Sequence, residues 1–297
     1  MKTQSLLRTF ATLVAISAVS ELQAQQLTGL EIMQEVEEML RSTNDSSFTR
    51  MKLSSCRFGV SANRITCAEK PRVKVLESVA MNLGIDAKDT KSISITLEPA
   101  SERGIGMLNY NYDQVGREDQ TWLYLSELGR VKRIATGDSD EYAEPASVFG
   151  SEFTTEDINY GKLQEYEINI IGEAIENNRE VWKIESIPVT DRAKRSRYAR
   201  SVYYVDRERF VSLRSEIYDK YGKEIKRTMA SRVELVNGFW ISRSLTMLNL
   251  VSNRLSNMAM IDIYIGLDIE EDFLTQRSLI DSAYREKVLA RLRAQLE

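Results

Sequence analysis

The chain has 297 residues, no histidine, two cysteines and a formal net charge of −4 at pH 7. Without histidine, a Ser-His-Asp or Cys-His catalytic site cannot be built, and the commonest zinc and iron ligand is missing. The acidic balance gives no support for nucleic-acid binding. The carboxylates are also scattered along the chain. For these reasons together, we expect no enzyme activity, no metal site, no cofactor and no nucleic-acid partner.

The first 24 residues are typical of a cleaved secretory signal peptide. Lys2 and Arg8 form a basic start, Phe10–Val19 is a short apolar run, and a cleavage site fits directly after Ala24. The run is shorter than the ~20 apolar residues of a transmembrane helix, although an uncleaved membrane anchor is the alternative. We expect an exported protein.

An amphipathic helix is predicted directly after this segment. Thr28 is followed three residues later by Glu31, as in a capping box. Apolar residues then recur at close to helical spacing: Leu30, Met33, Val36 and Leu40. We expect three to four turns that end before Ser42.

Alternating apolar residues between positions 47 and 134 predict about six strands. The predicted strands are Ser47–Phe58, Ile65–Met81, Ser92–Leu97, Gly104–Tyr112, Thr121–Leu125 and Arg130–Ile134. The Gly104/Gly106 pair indicates a bulge or a close approach of the backbone. A phosphate-cradling loop is the alternative, but the GK[ST] sequence and the following helix that it needs are missing.

The two cysteines flank a turn in the first of these hairpins. An antiparallel pairing would bring Cys56 and Cys67 close together, and an exported compartment permits oxidation. We predict a disulfide; two reduced, buried thiols are the alternative. The CxxC spacing of a redox centre is missing.

The segment Thr121–Ile134 is a strong hairpin candidate. Trp122 and Tyr124 alternate with Leu123 and Leu125, so both faces of the first strand are apolar, as in a central strand covered on both sides. The segment Phe149–Ile158 follows after a polar loop. There Thr154 or Thr155 can cap a short helix that has Glu156 and Asp157 near its positive end.

These two segments, WLYLSELGRVKRI and then GSEFTTEDI, resemble the bacterial outer-membrane lipoprotein-sorting family, the LolA-like periplasmic carriers. Glu152 stands where the family has Asp, and Thr155 where it has Tyr. Further matches lie at Tyr204–Arg227 and Asn237–Leu250, so the resemblance covers roughly residues 27–273. No motif in it is catalytic.

The resemblance implies a half-open β-barrel, covered by the N-terminal helix and a short lid helix, that holds lipids or lipoprotein acyl chains between sheet and helices. It implies a periplasmic location, transient membrane contact and an inner-membrane transporter of the resistance-nodulation-division (RND) type as partner. A lipid-sensing or regulatory binding protein on the same fold, without transfer activity, is the alternative function.

The second half returns to strands. They are predicted at Lys162–Glu173, Arg179–Ile187, Tyr198–Asp206, Val211–Tyr218, Glu224–Val236, Phe239–Leu250 and Met258–Gly266. Asn237-Gly238 is a strong hairpin signal. About thirteen antiparallel strands in one exported domain favour a curved sheet or partial barrel. We therefore divide the chain into a signal peptide (1–24), a half-barrel domain (25–274) and a C-terminal helical extension (275–297).

Two further segments allow a structural or a functional interpretation. The basic run Asp191–Arg200 is either a solvated loop or a docking patch for an acidic partner or lipid head groups. The C-terminal extension has an apolar ridge at four-residue steps, from Ile280 through Tyr284, Val288 and Leu292 to Leu296. It is predicted to be one helix, packed on the barrel or docking a partner or membrane surface.

A curved sheet has a concave face, and large apolar side chains on that face could line a cavity for acyl chains. The predicted lining residues are Met51, Leu53, Val73, Val75, Ile93, Ile95, Leu97, Leu123, Leu125, Val211, Leu213, Ile261, Ile263 and Ile265. From the pattern alone, an ordinary filled core is the alternative. A register slip of one residue would turn any of these strands over.

Overall fold

The computed structural model describes residues 27–43, 45–62, 64–134, 145–158 and 162–295. The predicted signal peptide and its cleavage site lie outside the described residues. Within the described ranges, no helix combines the length and the apolar character needed to cross a bilayer.

In the described part of the chain, fourteen antiparallel strands make up the sheet. In the first half they are β1 (Ser47–Ser61), β2 (Arg64–Cys67), β3 (Arg72–Leu83), β4 (Asp89–Glu98), β5 (Gly106–Asn111), β6 (Gln120–Leu125) and β7 (Arg130–Ile134). In the second half they are β8 (Tyr166–Glu176), β9 (Arg179–Pro188), β10 (Arg200–Asp206), β11 (Ser212–Tyr218), β12 (Glu224–Val236), β13 (Phe239–Asn249) and β14 (Arg254–Tyr264).

The strand order explains why the barrel is half open. The order runs β7-β6-β5-β4-β3-β1-β14-β13-β12-β11-β10-β9-β8, and β2 lies off this path and pairs with β1. Strands β7 and β8 are consecutive in the chain but form opposite edges of the sheet. The connection between them must therefore pass from one edge to the other. It contains residues 145–158, which we call the lid, including helix α2 (Thr155–Ile158). The predicted fold class, a half-open barrel with covering helices, is confirmed.

The N-terminal helix covers the concave face of the second half. Helix α1 (Gly29–Ser42) has the predicted capping box, in which Thr28 and Glu31 satisfy each other's backbone donors. Its buried residues Ile32, Met33 and Val36 pack with Ile184 and Val205 of the sheet. Two of the four predicted stripe residues, Met33 and Val36, are buried, whereas Leu30 and Leu40 are exposed. Ile32, which was not predicted, is completely buried.

Most strand predictions are close to the observed bounds, with one merger. Ile65–Met81 was predicted as a single strand but is divided into β2 and β3 by residues 68–71. Pro71 at this break has no N–H to donate to a ladder. In the β1–β2 hairpin, Cys56 and Cys67 form a disulfide with their Cα atoms 5.7 Å apart. Its loop closure contributes about 2–3 kcal/mol through the unfolded state.

The β6–β7 hairpin is not at the centre of the sheet, as its apolar pattern suggested. Strand β6 is one position in from the edge strand β7. Both faces of β6 are nevertheless covered. Trp122 and Tyr124 pack under the C-terminal extension, and Leu123 packs against the lid.

The C-terminal extension consists of two helices, not one. They are α4 (Gln276–Ile280) and α5 (Ser282–Ala294), and a break at Asp281 separates them. Helix α3 (Thr190–Arg195) precedes them in the chain and is part of the basic run. The Asp281 side chain accepts a hydrogen bond from the Tyr284 N–H and thereby begins α5. Leu296 lies outside the described residues.

The extension packs on the convex face of the first half of the sheet. This agrees with the first of its two predicted interpretations, a helix packed on the barrel. Leu279, Leu289 and Leu292 are buried in one core with Ile93 and Ile95 of β4. This close packing depends on Gly106. A Cβ there would lie 2.6 Å from Ile95 Cδ1 and 2.8 Å from Leu279 Cδ2, so the predicted close approach of the backbone is confirmed.

A candidate hydrophobic ligand-binding cavity

A covered cavity of about 330 Å³ lies between the concave face of the second half, helix α1 and the lid. Helix α1 contributes Val36, Met39 and Leu40, and the lid contributes Phe153 and Ile158. The apolar side chains that the sheet contributes include Ile217, Ala230, Trp240, Ile241, Leu245, Met247, Met258 and Met260.

A second space of about 180 Å³ adjoins the first on the side of the first half-sheet. Both spaces are bordered by Ile158 and Met258. Met51, Leu53 and Leu76 form part of the wall of the smaller space. The lid helix therefore stands between two halves of one apolar concavity.

The wall combines methionines with hydroxyl side chains. Methionine is flexible and polarizable, so it adapts to guests of different shape. The hydroxyls of Ser215 and Thr228 bond each other at 2.6 Å. Since that pair satisfies itself, it presents mainly its carbon atoms to the cavity. Such a wall suits a hydrocarbon chain better than a polar ligand.

Four of the predicted lining residues lie on this concave side. Met51 and Leu53 border the smaller space, and Val211 borders the larger one. Leu123 packs against the cluster that contains the lid residues Val148 and Phe153.

Four predicted residues belong elsewhere, and these predictions were wrong. Ile93 and Ile95 are buried on the opposite face of the sheet, under the C-terminal extension. Leu213 packs in a separate cluster with Val181 and Val202. Leu97 borders a different cleft, described below. Leu213 lies where the strand register shifts, so simple alternation assigns it to the wrong face.

The remaining six border neither space: Val73, Val75, Leu125, Ile261, Ile263 and Ile265. Val73 and Ile261 are exposed, and Ile263 is buried. The register between β1 and β14 shifts at Ile261, which has no partner in β1. Met258 and Met260 line the cavity, and Ile261, the next residue along the strand, does not.

A buried ion pair holds the lid helix to the sheet. Lys226 Nζ of β12 donates to Asp157 Oδ2 at 2.5 Å, and the Tyr198 hydroxyl donates to Asp157 Oδ1 at 2.7 Å. Both charged side chains are almost fully buried. Burial, followed by the charge of Asp157, raises the pKa of Tyr198. The hydroxyl therefore stays protonated and remains a donor.

The neighbouring carboxylate connects the lid to the basic run. Glu156 Oε1 accepts from the Ser196 hydroxyl at 2.6 Å and from the Arg197 N–H at 3.2 Å. Arg192 lies 3.7 Å away. Burial raises the pKa of Glu156. The basic run is therefore not the predicted solvated loop. Its first part is the short helix α3, and Ser196 and Arg197 after this helix hold the lid through Glu156.

Glu152 anchors the start of the lid. Its carboxylate accepts from Asn249 Nδ2 at 2.8 Å and from Arg254 Nε at 3.1 Å, and its backbone N–H donates to Ser256 Oγ. These partners lie on β13 and β14. The acidic residues of the recognised segment thus hold the lid across the sheet, a role that its sequence alone did not reveal.

Comparisons with known proteins identify the fold. The model of a protein family described as "Uncharacterized protein" matches residues 88–281. A comparison with curated proteins finds no match. A crystal structure of a DUF1329 family protein from Desulfovibrio piger is similar, with a TM-score of 0.72 and 21% identity, over 84% of this chain and 97% of that one.

Two other solved structures are also similar to this chain. An outer membrane lipoprotein-sorting protein domain from Vibrio parahaemolyticus has a TM-score of 0.69 and 24% identity, over 85% of this chain and 98% of that one. A LolA superfamily protein from Nitrosomonas europaea has a TM-score of 0.60 and 15% identity, over 84% and 98%. The chain therefore belongs to the family whose model spans residues 88–281, and its fold is that of the LolA-like lipoprotein-sorting proteins.

Proposed function

We propose that the protein is a non-enzymatic periplasmic carrier that holds an acyl chain of a lipid or lipoprotein in the concave cavity and shuttles it between the inner and outer membranes. The observation that supports this proposal most directly is the apolar cavity of about 330 Å³ under α1 and the lid.

The size of the cavity agrees with a small hydrophobic ligand, because ligand pockets commonly measure about 300–1,000 Å³. Transfer of one chain of ~14 methylenes out of water contributes ~10 kcal/mol, at ~0.8 kcal/mol each. A gain of that scale is needed to withdraw a chain from a bilayer.

Release requires that the lid leave the cavity. The lid is held by hydrogen bonds and ion pairs of Glu152 and Asp157 with the sheet and of Glu156 with the basic run. Water and a partner's polar groups can replace such bonds one at a time. We assign the opening step to an inner-membrane RND-type transporter, which the family resemblance supports. Residues 1–24 would direct export, and the Cys56–Cys67 disulfide is suited to an oxidising compartment.

A substitution that fills the cavity tests the proposal. Ala230 borders the cavity and is buried, so Ala230→Phe would place a ring in the space of the acyl chain. Ser231 is the next residue on the same strand and is exposed, so Ser231→Phe adds the same ring to the opposite face. Lipid that co-purifies with each protein would be measured by native mass spectrometry and after organic extraction.

We expect bound lipid in the wild type and in Ser231→Phe, and its loss in Ala230→Phe. Bare wild-type protein, or equal lipid in both variants, would contradict the proposal. Transfer of labelled lipid between two vesicle populations then separates carrier from sensor. A protein that binds lipid but does not accelerate its transfer would be a sensor.

A further inference from the structure

A second concavity lies on the opposite face of the molecule, between the C-terminal extension and strands β4 to β6. It has a volume of about 620 Å³. Its apolar wall includes Ile95, Leu97 and Ile280, and its polar groups include Thr96 and Arg285. The proposed carrier function does not use it.

Arg285 is unusual because it is buried without a counter-ion. Its side chain is on α5, and only 5% of the residue is exposed. One terminal nitrogen, Nη1, donates to the carbonyl oxygens of Ser278 and Leu279 at 2.9 and 3.0 Å. Among the described residues, no carboxylate forms an ion pair with it. Buried charges are otherwise paired, because desolvation of an unpaired ion is costly.

The guanidinium keeps unused donors at the cleft. Within the described part of the chain, Arg285 Nε has no hydrogen-bond partner. Nη2 lies beside Gly104, 3.8 Å from the position that a Cβ on this glycine would take. A larger residue at Gly104 would crowd this nitrogen. The Nε and Nη2 side of a guanidinium can bind a carboxylate or phosphate through two parallel N–H···O hydrogen bonds.

Thr96 supplies a second unpaired group. It is completely buried, borders the same cleft, and its hydroxyl has no partner among the described residues. Orphaned buried polar groups are rare in proteins and often mark an unseen ligand. The N-terminus of α5 adds its positive dipole end through Ser282.

The acidic groups at the cleft do not neutralise Arg285. Glu286 is paired with Arg293 at 3.3 Å. Glu98 is exposed, and so is Arg103, whose Nε donates to the Leu97 carbonyl. The charges at the rim therefore balance, while the buried charge does not.

We propose that this cleft binds a small organic anion whose carboxylate or phosphate accepts hydrogen bonds from Arg285 and Thr96. The walls formed by Ile95, Leu97 and Ile280 contact the carbon part of the ligand. The guanidinium lies inside a cleft and beyond the reach of a flat bilayer surface, so the ligand is a soluble molecule and not a membrane head group.

Titration calorimetry at low salt tests this proposal with three probes: glycerol 3-phosphate, inorganic phosphate and phosphatidylglycerol vesicles. Wild-type protein should bind glycerol 3-phosphate saturably and more tightly than inorganic phosphate. Thr96→Val is isosteric and removes an unpaired hydroxyl, so it should leave the unfolding midpoint unchanged or raised. It should weaken binding about tenfold.

Arg285→Met should abolish binding, and Ala230→Phe, which fills the acyl cavity, should bind the anion as the wild type does. The Ala230→Phe result makes this test independent of the carrier proposal. If Arg285→Met does not fold, Thr96→Val alone decides the question. No saturable binding of glycerol 3-phosphate, binding only to vesicles, or unchanged affinity in a folded Thr96→Val variant would overturn the proposal.

Discussion

At the scale of single residues, three acidic side chains of the lid determine how it is held. Glu152 reaches donors on β13 and β14, Glu156 reaches the chain after α3, and Asp157 reaches β12. The carboxylate of Glu152 stands where the family resemblance has the shorter Asp. Its extra methylene extends its reach toward Asn249 and Arg254. Each contact joins the lid to a different segment of the chain.

The Asp157–Lys226 pair should be important for stability because both groups are buried. Lys226→Met leaves the buried Asp157 carboxylate without its counter-ion, and only the neutral donors Tyr198 and Thr154 still bond to it. The variant should reduce the unfolding free energy by about 3–5 kcal/mol. Urea unfolding measures the loss. Lys194→Met is the matched control, since it breaks an exposed pair with Asp191 and should change the unfolding free energy far less. Equal losses in the two variants would contradict the assignment.

Glu156 should make stability depend on pH. Burial raises its pKa in the folded protein, so the folded state takes up a proton at a higher pH than the unfolded chain does. The contribution of Glu156 to stability is therefore present below its pKa in the unfolded chain, ~4.3, and is lost as the pH rises through its pKa in the folded protein.

Unfolding free energies at pH 7 and pH 5 should show this effect. The wild type should gain stability relative to Glu156→Gln as the pH falls. Glu180→Gln changes an exposed carboxylate and should show no comparable gain. A relative loss for the wild type at pH 5 would mean that Arg192 lowers the pKa of Glu156 more than burial raises it.

At the scale of elements, the C-terminal extension is part of the domain core, although the sequence resemblance ends near residue 273. Helices α4 and α5 cover Ile93, Ile95 and Leu108 on the convex face. Arg293 of α5 also reaches Glu77 of β3, whose carboxylate is fully buried and is shared with Arg50. Packing and charge thus bind the extension to the sheet.

Truncation of a buried side chain in α5 should therefore destabilise the whole protein. Leu292 is fully buried, and Leu292→Ala should reduce the unfolding free energy by about 2–5 kcal/mol. Ile280 is 54% exposed, so Ile280→Ala should change it by less than about 0.5 kcal/mol. Chemical denaturation of both variants provides the measurement. An unaffected Leu292→Ala protein would show that the extension is dispensable.

At the scale of the whole molecule, the strand order links the lid to both edges of the sheet. The connection from β7 to β8 passes between opposite edges and brings the lid over the concave face. Lid, α1 and sheet therefore enclose one space together. A ligand in that space contacts all three, and it should stabilise them as a unit.

Binding of an acyl chain should raise the unfolding free energy by mass action. Dodecanoate at a free concentration 100 times its Kd should add about 2.7 kcal/mol, seen as a higher Tm. The cavity-filled variant Ala230→Phe should show no increase, and Ser231→Phe should respond as the wild type does. An equal rise in Ala230→Phe would place the fatty acid outside the cavity.

The sequence was a reliable guide wherever the determining interactions are local. The capping box at Thr28 and Glu31, the turn at Asn237-Gly238 and most strands follow from contacts between residues close in the chain. The cavity lining was less predictable. Met51, Leu53 and Val211 are on the expected side, whereas Ile93 and Ile95 are covered on the opposite side by helices nearly 190 residues later in the chain.

By itself, the sequence therefore determined most elements, a curved antiparallel sheet or partial barrel, and the pairing of the cysteines, because these depend on side-chain periodicity and turn chemistry. The half-open form of the barrel was implied by the family resemblance. Only the tertiary structure decided which face of each strand is concave, how the lid is anchored, and that the buried residues Arg285 and Thr96 border the same cleft. The physical reason is that one register shift, such as that at Ile261, reverses every later side chain of its strand. Such shifts arise from packing between distant segments and not from the local pattern.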